Sequence, residues 1–137
     1  MKKNKQTATV LFSDCDSTKF ISYPNYFQWF DRATQQLFFE SGAAWVKVWK
    51  EFDLAGFPLV DVQATFVRPA REGDEIEIES WVEEWRDKTF VVKHVITVAS
   101  DVVVVGHEIR TWAVADDSAA KGIKAAEIPA EFKSRFD

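Results

Sequence analysis

Cysteine is almost missing from this chain. Cys15 is the only one, so no intrachain disulfide can form, and a reduced, cytoplasmic setting is the expectation. Histidine is nearly as scarce, with only His94 and His107, both on stretches that read as strands. A metal site needs several such ligands converging, and adjacent residues of Asp14-Cys15-Asp16 point apart in an extended segment. No bound metal is therefore expected, and a cysteine nucleophile has no obvious histidine partner. No apolar run approaches the ~20 residues of a membrane helix. The basic Met1-Lys2-Lys3-Asn4-Lys5 start is followed by no apolar stretch, so a secretory leader is not expected. Residues 1–6 read instead as a frayed, flexible tail. An excess of basic charge is also lacking. The net charge of −5 argues against a nucleic-acid partner, which needs a broad basic surface, but leaves room for a small polyanion held by a local basic cluster.

What is present fits a single domain spanning 1–137, because 47% hydrophobic and 28% charged residues are the proportions of a soluble globular chain. Aromatic residues are over-supplied, with 12 Phe and 6 Trp. That is more than one small core needs, so the surplus is expected to line a pocket or an interface.

The hydrophobic period changes along the chain. Thr7 to Phe12 reads as a first strand. From Tyr23 or Pro24 to Ser41, the residues Tyr26, Phe30, Ala33 and Leu37 recur at i, i+4, i+7 and i+11, the buried stripe of a long helix. Ser22 is placed to cap it, Pro24 is tolerated in its first turn, and Gly42 ends it. Ala43 to Phe52 predicts a shorter helix. Strands follow at Leu59 to Phe66, Glu75 to Trp85, Thr89 to Ala99 and Val102 to Ala115. In the second of these, Ile76, Ile78, Ser80 and Val82 alternate with Glu75, Glu77, Glu79, Trp81 and Glu83, so one face is buried and one is wet. Asp116 to Lys124 reads as loop, and Pro129 to Phe136 as a final helical turn or two. Early helices followed by a strand meander mean α+β, with a curved antiparallel sheet wrapped around the long helix.

The chemistry concentrates where the first strand ends. Phe12-Ser13-Asp14-Cys15-Asp16 brings two carboxylates close to the Tyr23-Pro24-Asn25-Tyr26 helix start. A helix N-terminus offers backbone N–H donors and a positive partial charge to a developing oxyanion, and a carboxylate can act as base or nucleophile. That combination suits acyl transfer. Taken alone, Asp16 could equally be an ordinary loop or capping carboxylate, and Arg86-Asp87-Lys88 an ordinary charged turn.

These segments, with Trp29-Phe30-Asp31, Glu84-Trp85-Arg86-Asp87-Lys88-Thr89-Phe90, Glu108-Ile109-Arg110 and Glu127-Ile128-Pro129-Ala130, resemble the 4-hydroxybenzoyl-CoA thioesterase group of the hotdog-fold acyl-CoA thioesterases. The resemblance covers nearly the whole chain. It implies hydrolysis of an acyl-CoA, with no cofactor beyond the coenzyme A of the substrate. It places the catalytic carboxylate on Asp16, the oxyanion donor on the Tyr23 backbone N–H, and the coenzyme A phosphate contacts on Arg86 and Lys88. Trp29 and Phe30 on the helix are candidates for the acyl pocket. It also implies a homodimer or a dimer-of-dimers tetramer with sites at subunit interfaces. The chain departs from the group in two places. Ser17-Thr18-Lys19 stands where Pro-Ala-Gly often follows the aspartate, and Asp87 stands where a further basic residue would strengthen the phosphate site. Two other functions stay open: an acyl-CoA or aromatic-acid binding protein without activity, and an acyl-carrier-protein thioesterase, the latter disfavoured by the acidic surface.

Overall fold

A computed structural model describes all 137 residues. Strand β1 (Lys3–Thr9) leads through a 3-10 turn (Phe12–Asp14) to helix α1 (Tyr23–Glu40) and the shorter α2 (Trp45–Glu51). Then come β2 (Leu59–Phe66), β3 (Glu75–Trp85), β4 (Thr89–Val98) and β5 (Asp101–Thr111). A small pair, β6 (Ala113–Ala115) and β7 (Ile123–Ala125), and the terminal α3 (Ala130–Ser134) complete the chain. The main sheet is antiparallel with order β1-β3-β4-β5-β2, and α1 packs across one face of it. This is the expected α+β hotdog arrangement.

The alternation in β3 does what its period demands. Ile76, Ile78, Ser80 and Val82 are buried, and their partners Val98, Ile96, His94 and Val92 carry the same face into β4. Three local expectations change. β1 begins at Lys3, so residues 3–6 are strand rather than tail: Lys3 pairs with Trp81 and Lys5 with Glu79. The strand escapes a reading by hydrophobicity because its half-buried face is Asn4, Gln6 and Ala8. Second, β2 does not join the β3-β4-β5 meander in sequence order but lies beyond β5 as the outer edge. Third, Ile123–Ala125 is a short strand where only loop was expected.

Much of the aromatic surplus has a different place from the one expected. Phe38, Phe57, Phe90, Trp112, Phe132 and Phe136 are buried together, with Trp45, Trp49, Phe52 and Trp85 packed against them. The chain thus has a second, mostly aromatic core under the C-terminal half of α1, closed by α2 and α3. Rings meeting edge to face at 5–6 Å, such as Phe57 on Phe90 at 5.4 Å, add a fraction of a kcal/mol to about 1.5 kcal/mol each beyond burial.

α1 approaches the sheet closely at one glycine. A Cβ on Gly106 would lie 2.5 Å from both the Phe30 ring and the Gln63 carbonyl oxygen. Gly106→Ala is therefore expected to cost about 1–3 kcal/mol by overpacking, read as a lowered midpoint in denaturant unfolding.

Candidate active site

The segment between β1 and α1 is a tightly hydrogen-bonded loop. Asp14 accepts the Leu11 N–H on its carboxylate at 2.9 Å, closing the 3-10 turn. Cys15 then bridges to Ile21, and the Asp16 N–H donates to the Phe20 carbonyl at 3.0 Å. The reversal between them is made by Ser17-Thr18-Lys19, with Lys19 in the left-handed region at φ 70°. The lysine thus takes up a conformation that glycine adopts without strain. The turn closes despite the departure from Pro-Ala-Gly.

This loop is joined directly to the start of α1. The Asp14 carbonyl accepts the Ser22 N–H at 3.0 Å and the Asn25 side-chain amide at 2.7 Å. The turn before β3 braces it from the other side, through Ile21 N–H to the Ala70 carbonyl at 2.9 Å. Ser22 occupies the N-cap position but its side chain does not cap, and Pro24 has no N–H to offer. The Tyr23 N–H donates to no group of the chain and remains available at the positive end of the helix.

Asp16 is exposed. Its Oδ1 accepts the Thr18 N–H at 2.8 Å and also the Thr18 hydroxyl. These bonds, the hydroxyl first, hold the carboxyl below its ordinary range, so it is ionised at neutral pH. Oδ2 has no partner. Cys15 is a poor nucleophile by contrast: loss of water contact, and the nearby Asp14, Glu72 and Asp16 carboxylates, push its thiol up.

Two cavities border α1 and β2. One of about 270 Å³ lies at the helix start, lined by Ile21, Tyr23, Tyr26, Phe66, Val67, Arg68 and Pro69. The other, about 490 Å³, is lined by Phe27, Gln28, Asp31, Arg32, Leu59, Val62, Glu108 and Arg110. A larger hollow of about 660 Å³ lies on β3 and β4, with Glu75, Glu77 and Glu79 in its wall. Its carboxylates would repel a phosphate-bearing ligand, so the cavity lined by Tyr23 is the better candidate.

The proposed acyl-pocket pair does not line these cavities. Phe30 is fully buried, stacked on His94 at 4.5 Å with Gly106 beneath it. Trp29 is half-buried against the core and meets Tyr26 edge to face at 5.8 Å. Their helical phase turns them toward the sheet, and their neighbours Phe27, Gln28, Asp31 and Arg32 form the cavity wall instead.

Arg86 and Lys88 occupy the β3–β4 turn, exposed as expected, with Arg86 bonded to Glu84 at 3.1 Å. They are not near Asp16 within the chain. The Asp16 loop abuts the Glu75 end of β3, through Val10 N–H to the Asp74 carbonyl at 2.8 Å, whereas the turn follows Trp85. The 11 residues of β3 separate the two by ~33 Å at about 3.3 Å per residue.

A buried polar chain lies between α1 and the sheet. Ser80 meets His94 Nδ1 at 2.7 Å, His94 Nε2 meets Glu108 at 3.0 Å, and Thr34 donates to the same Glu108 oxygen. Arg110 bonds the other Glu108 oxygen at 2.7 Å, Asp31 at 2.6 Å and the Phe57 carbonyl at 3.0 Å, with Trp45 facing its guanidinium at 5.0 Å. In the sequence, Ser80 on the apolar face of β3 was one hint of it. Glu108 and Arg110, two apart on the inward face of a valine-rich strand, were the stronger signal.

Against known proteins, residues 10–136 match the thioesterase-like superfamily. The chain belongs to that superfamily. It is 35% identical over 129 residues to the 4-hydroxybenzoyl-CoA thioesterase of Pseudomonas sp. strain CBS-3, covering 90% of this chain and 89% of that protein. The solved structure of 4-hydroxybenzoyl-CoA thioesterase from that strain superposes with a TM-score of 0.87 at 30% identity, covering 98% and 99% of the two chains. A 4-hydroxybenzoyl-CoA thioesterase carrying an aspartate-to-asparagine mutation, complexed with 4-hydroxybenzoyl-CoA, gives 0.89 at 29% identity over the full length of both. A gentisyl-coenzyme A thioesterase gives 0.78 at 27% identity, covering 97% and 98%. As a member of this superfamily the chain is a thioester hydrolase.

Proposed function

We propose that this thioester hydrolase cleaves an aryl-CoA to the free acid and coenzyme A, with Asp16 as the reacting carboxylate and the Tyr23 N–H as oxyanion donor. The observation that carries the reading is the pairing of an ionised, half-free carboxylate with an unpartnered amide at a helix N-terminus, tied together through Asp14. The substrate carbonyl oxygen would accept the Tyr23 N–H. Oδ2 would then either attack the carbonyl carbon, forming an acyl-aspartyl anhydride that water hydrolyses to the free acid and Asp16, or draw a proton from a water that attacks the carbon itself. In either case the carbon–sulfur bond breaks and coenzyme A departs as a thiolate. Aryl substrates are supported by the names of the relatives, which act on hydroxylated benzoyl thioesters, and by the aromatic lining of the cavity beside Tyr23.

The coenzyme would be gripped by Arg86 and Lys88 of a second subunit. The separation of the two ends of β3 supports this, and so does the exposed edge of β2. That strand has no neighbour on its outer side and exposes Leu59, Val60 and Phe66. Two β2 edges paired antiparallel would set the Phe66 end of one protomer, beside the catalytic loop, against the Leu59 end of the other, the end nearer the Arg86 turn.

A panel of aryl, short-chain and long-chain acyl-CoAs, followed by free thiol release, tests the activity. Fast release from aryl substrates supports the proposal; binding with no release across the panel makes the protein a binder instead. Joint replacement of Arg86 and Lys88 by alanine is expected to raise KM about 10–100-fold with little change in kcat, because phosphate contacts remote from the thioester bind ground and transition states alike. Steady-state kinetics on the best substrate of the panel checks it.

A further inference from the structure

We propose that Thr18 is a positioning residue: its hydroxyl and amide together clamp Asp16 Oδ1, so that Oδ2 alone faces the thioester. This rests on the reading of Asp16 as the reacting carboxylate. The bonds form a closed ring. The Thr18 amide donates to Oδ1 at 2.8 Å, and the hydroxyl donates to the same oxygen. The Phe20 N–H approaches the Thr18 hydroxyl oxygen at 3.4 Å from the far side, which directs the hydroxyl hydrogen toward Asp16. The Asp16 N–H returns to the Phe20 carbonyl at 3.0 Å, and the Lys19 N–H to the Asp16 carbonyl at 3.0 Å. Lys19, at φ 70°, closes the turn that makes this ring possible.

The consequence is geometric first. An exposed aspartate turns freely about its side-chain torsions, and a reacting group must be held near its attack geometry to be effective. Here both donors are spent on one oxygen, so the carboxylate is held without blocking the other. The second consequence is electrostatic. Donors aimed at the anion favour the charged form and keep the carboxylate ionised at lower pH. The charged and titratable groups around it are Asp14, Cys15 and Lys19 on the same loop. Arg71 and Glu72 face it from the turn before β3, where Arg71 bridges to Phe20 and the Glu72 N–H donates to the Lys19 carbonyl at 3.4 Å. Their charges have mixed sign, so the Thr18 bonds are the main influence on Asp16.

Thr18→Ala removes the hydroxyl and keeps the amide, at an exposed position where folding is not at stake. It is expected to lower kcat about tenfold, the scale of one hydrogen bond to a charged group, leave KM unchanged, and move the acid limb of the kcat/KM profile to higher pH. Thr18→Ser, which restores the hydroxyl, is expected to restore both. The Asp16 carboxyl titration, followed by carbon NMR in the wild type and Thr18→Ala, is expected to move the same way without any turnover. Unchanged rates, pH profile and titration in Thr18→Ala, with Asp16→Asn inactive, overturn the clamp alone. Full activity in Asp16→Asn overturns the catalytic reading and the clamp with it.

Discussion

Asp16→Asn is expected to lower turnover by about 10³-fold or more while leaving the fold unchanged, on the scale of losing a group that acts directly on the reacting atoms. The substitution isolates one atom. The asparagine side chain keeps an oxygen that can accept both Thr18 donors, so the loop between Asp14 and Ser22 retains its internal bonds. What disappears is the negative charge and the unpartnered Oδ2, which an NH₂ replaces. No attack and no proton abstraction can then come from that position, whichever of the two Asp16 performs. Binding should survive, because the Tyr23 amide, the cavity beside it and the basic turn are untouched. The complex of a related thioesterase bearing an aspartate-to-asparagine mutation with 4-hydroxybenzoyl-CoA supports the idea that such variants hold substrate. Thiol release with the best aryl-CoA, circular dichroism and ligand binding by calorimetry separate the cases. Turnover within a few-fold of wild type would sink the assignment, and lost helicity would show the residue to be structural.

The parts of the molecule that were legible in the sequence are those where burial follows a local period. The long helix reads from Tyr26, Phe30, Ala33 and Leu37, all buried in the structure, and β3 from its strict alternation. The loop and helix start were legible as motifs because their bonds are short in sequence: Thr18 to Asp16, Asn25 to Asp14, Leu11 to Asp14. β1 was legible only from Thr7 on, because the pairing of residues 3–6 with β3 is made by the backbone and the exposed lysines sit 3.7–3.8 Å from Glu77 and Glu79, an arrangement that leaves no apolar stripe. The place of β2 was not legible, since strand order depends on contacts between distant segments. That Trp29 and Phe30 do not line the cavities beside α1 was hidden for a related reason. A hydrophobic residue on a helix looks alike whether it faces a cavity or a core, and only the Gly106 beneath Phe30 distinguishes them.

The chain of Ser80, His94, Glu108, Thr34 and Arg110 was the least legible feature, being assembled from α1, β3, β4 and β5, and it leads to the largest expected effect on stability. Glu108→Ala is expected to destabilise the fold by about 3–5 kcal/mol, the cost of breaking a buried ion pair by removing one partner. Arg110 is 5% exposed and already has a buried Nε with no partner. Without Glu108 its charge would be balanced only by Asp31, and Thr34 and His94 would lose their shared acceptor. An ionised carboxylate only accepts, so His94 must donate through Nε2 and, when neutral, receive the Ser80 hydroxyl on Nδ1. Burial above all holds the His94 imidazole below its ordinary value of 6.5, outweighing the pull of Glu108. Burial pushes the Glu108 carboxyl up, but His94, Arg110 and Thr34 outweigh it and hold the group below its ordinary value of 4.5. Both groups are depressed in the folded state, so the unfolded chain binds more protons, and stability falls with falling pH. The His94 contribution is complete above its unfolded value and begins to be lost as pH drops below 6.5. The Glu108 contribution follows below 4.5, ending as pH passes through its folded value. Urea unfolding of the wild type from pH 8 down to pH 2, compared with Glu108→Ala and with His94→Asn, reads both effects. The wild type should lose stability in two stages. Glu108→Ala should start several kcal/mol lower, and His94→Asn should lack the first stage. A wild-type profile flat down to pH 2, or a Glu108→Ala protein as stable as the parent, would show that the buried chain contributes nothing to holding α1 on the sheet.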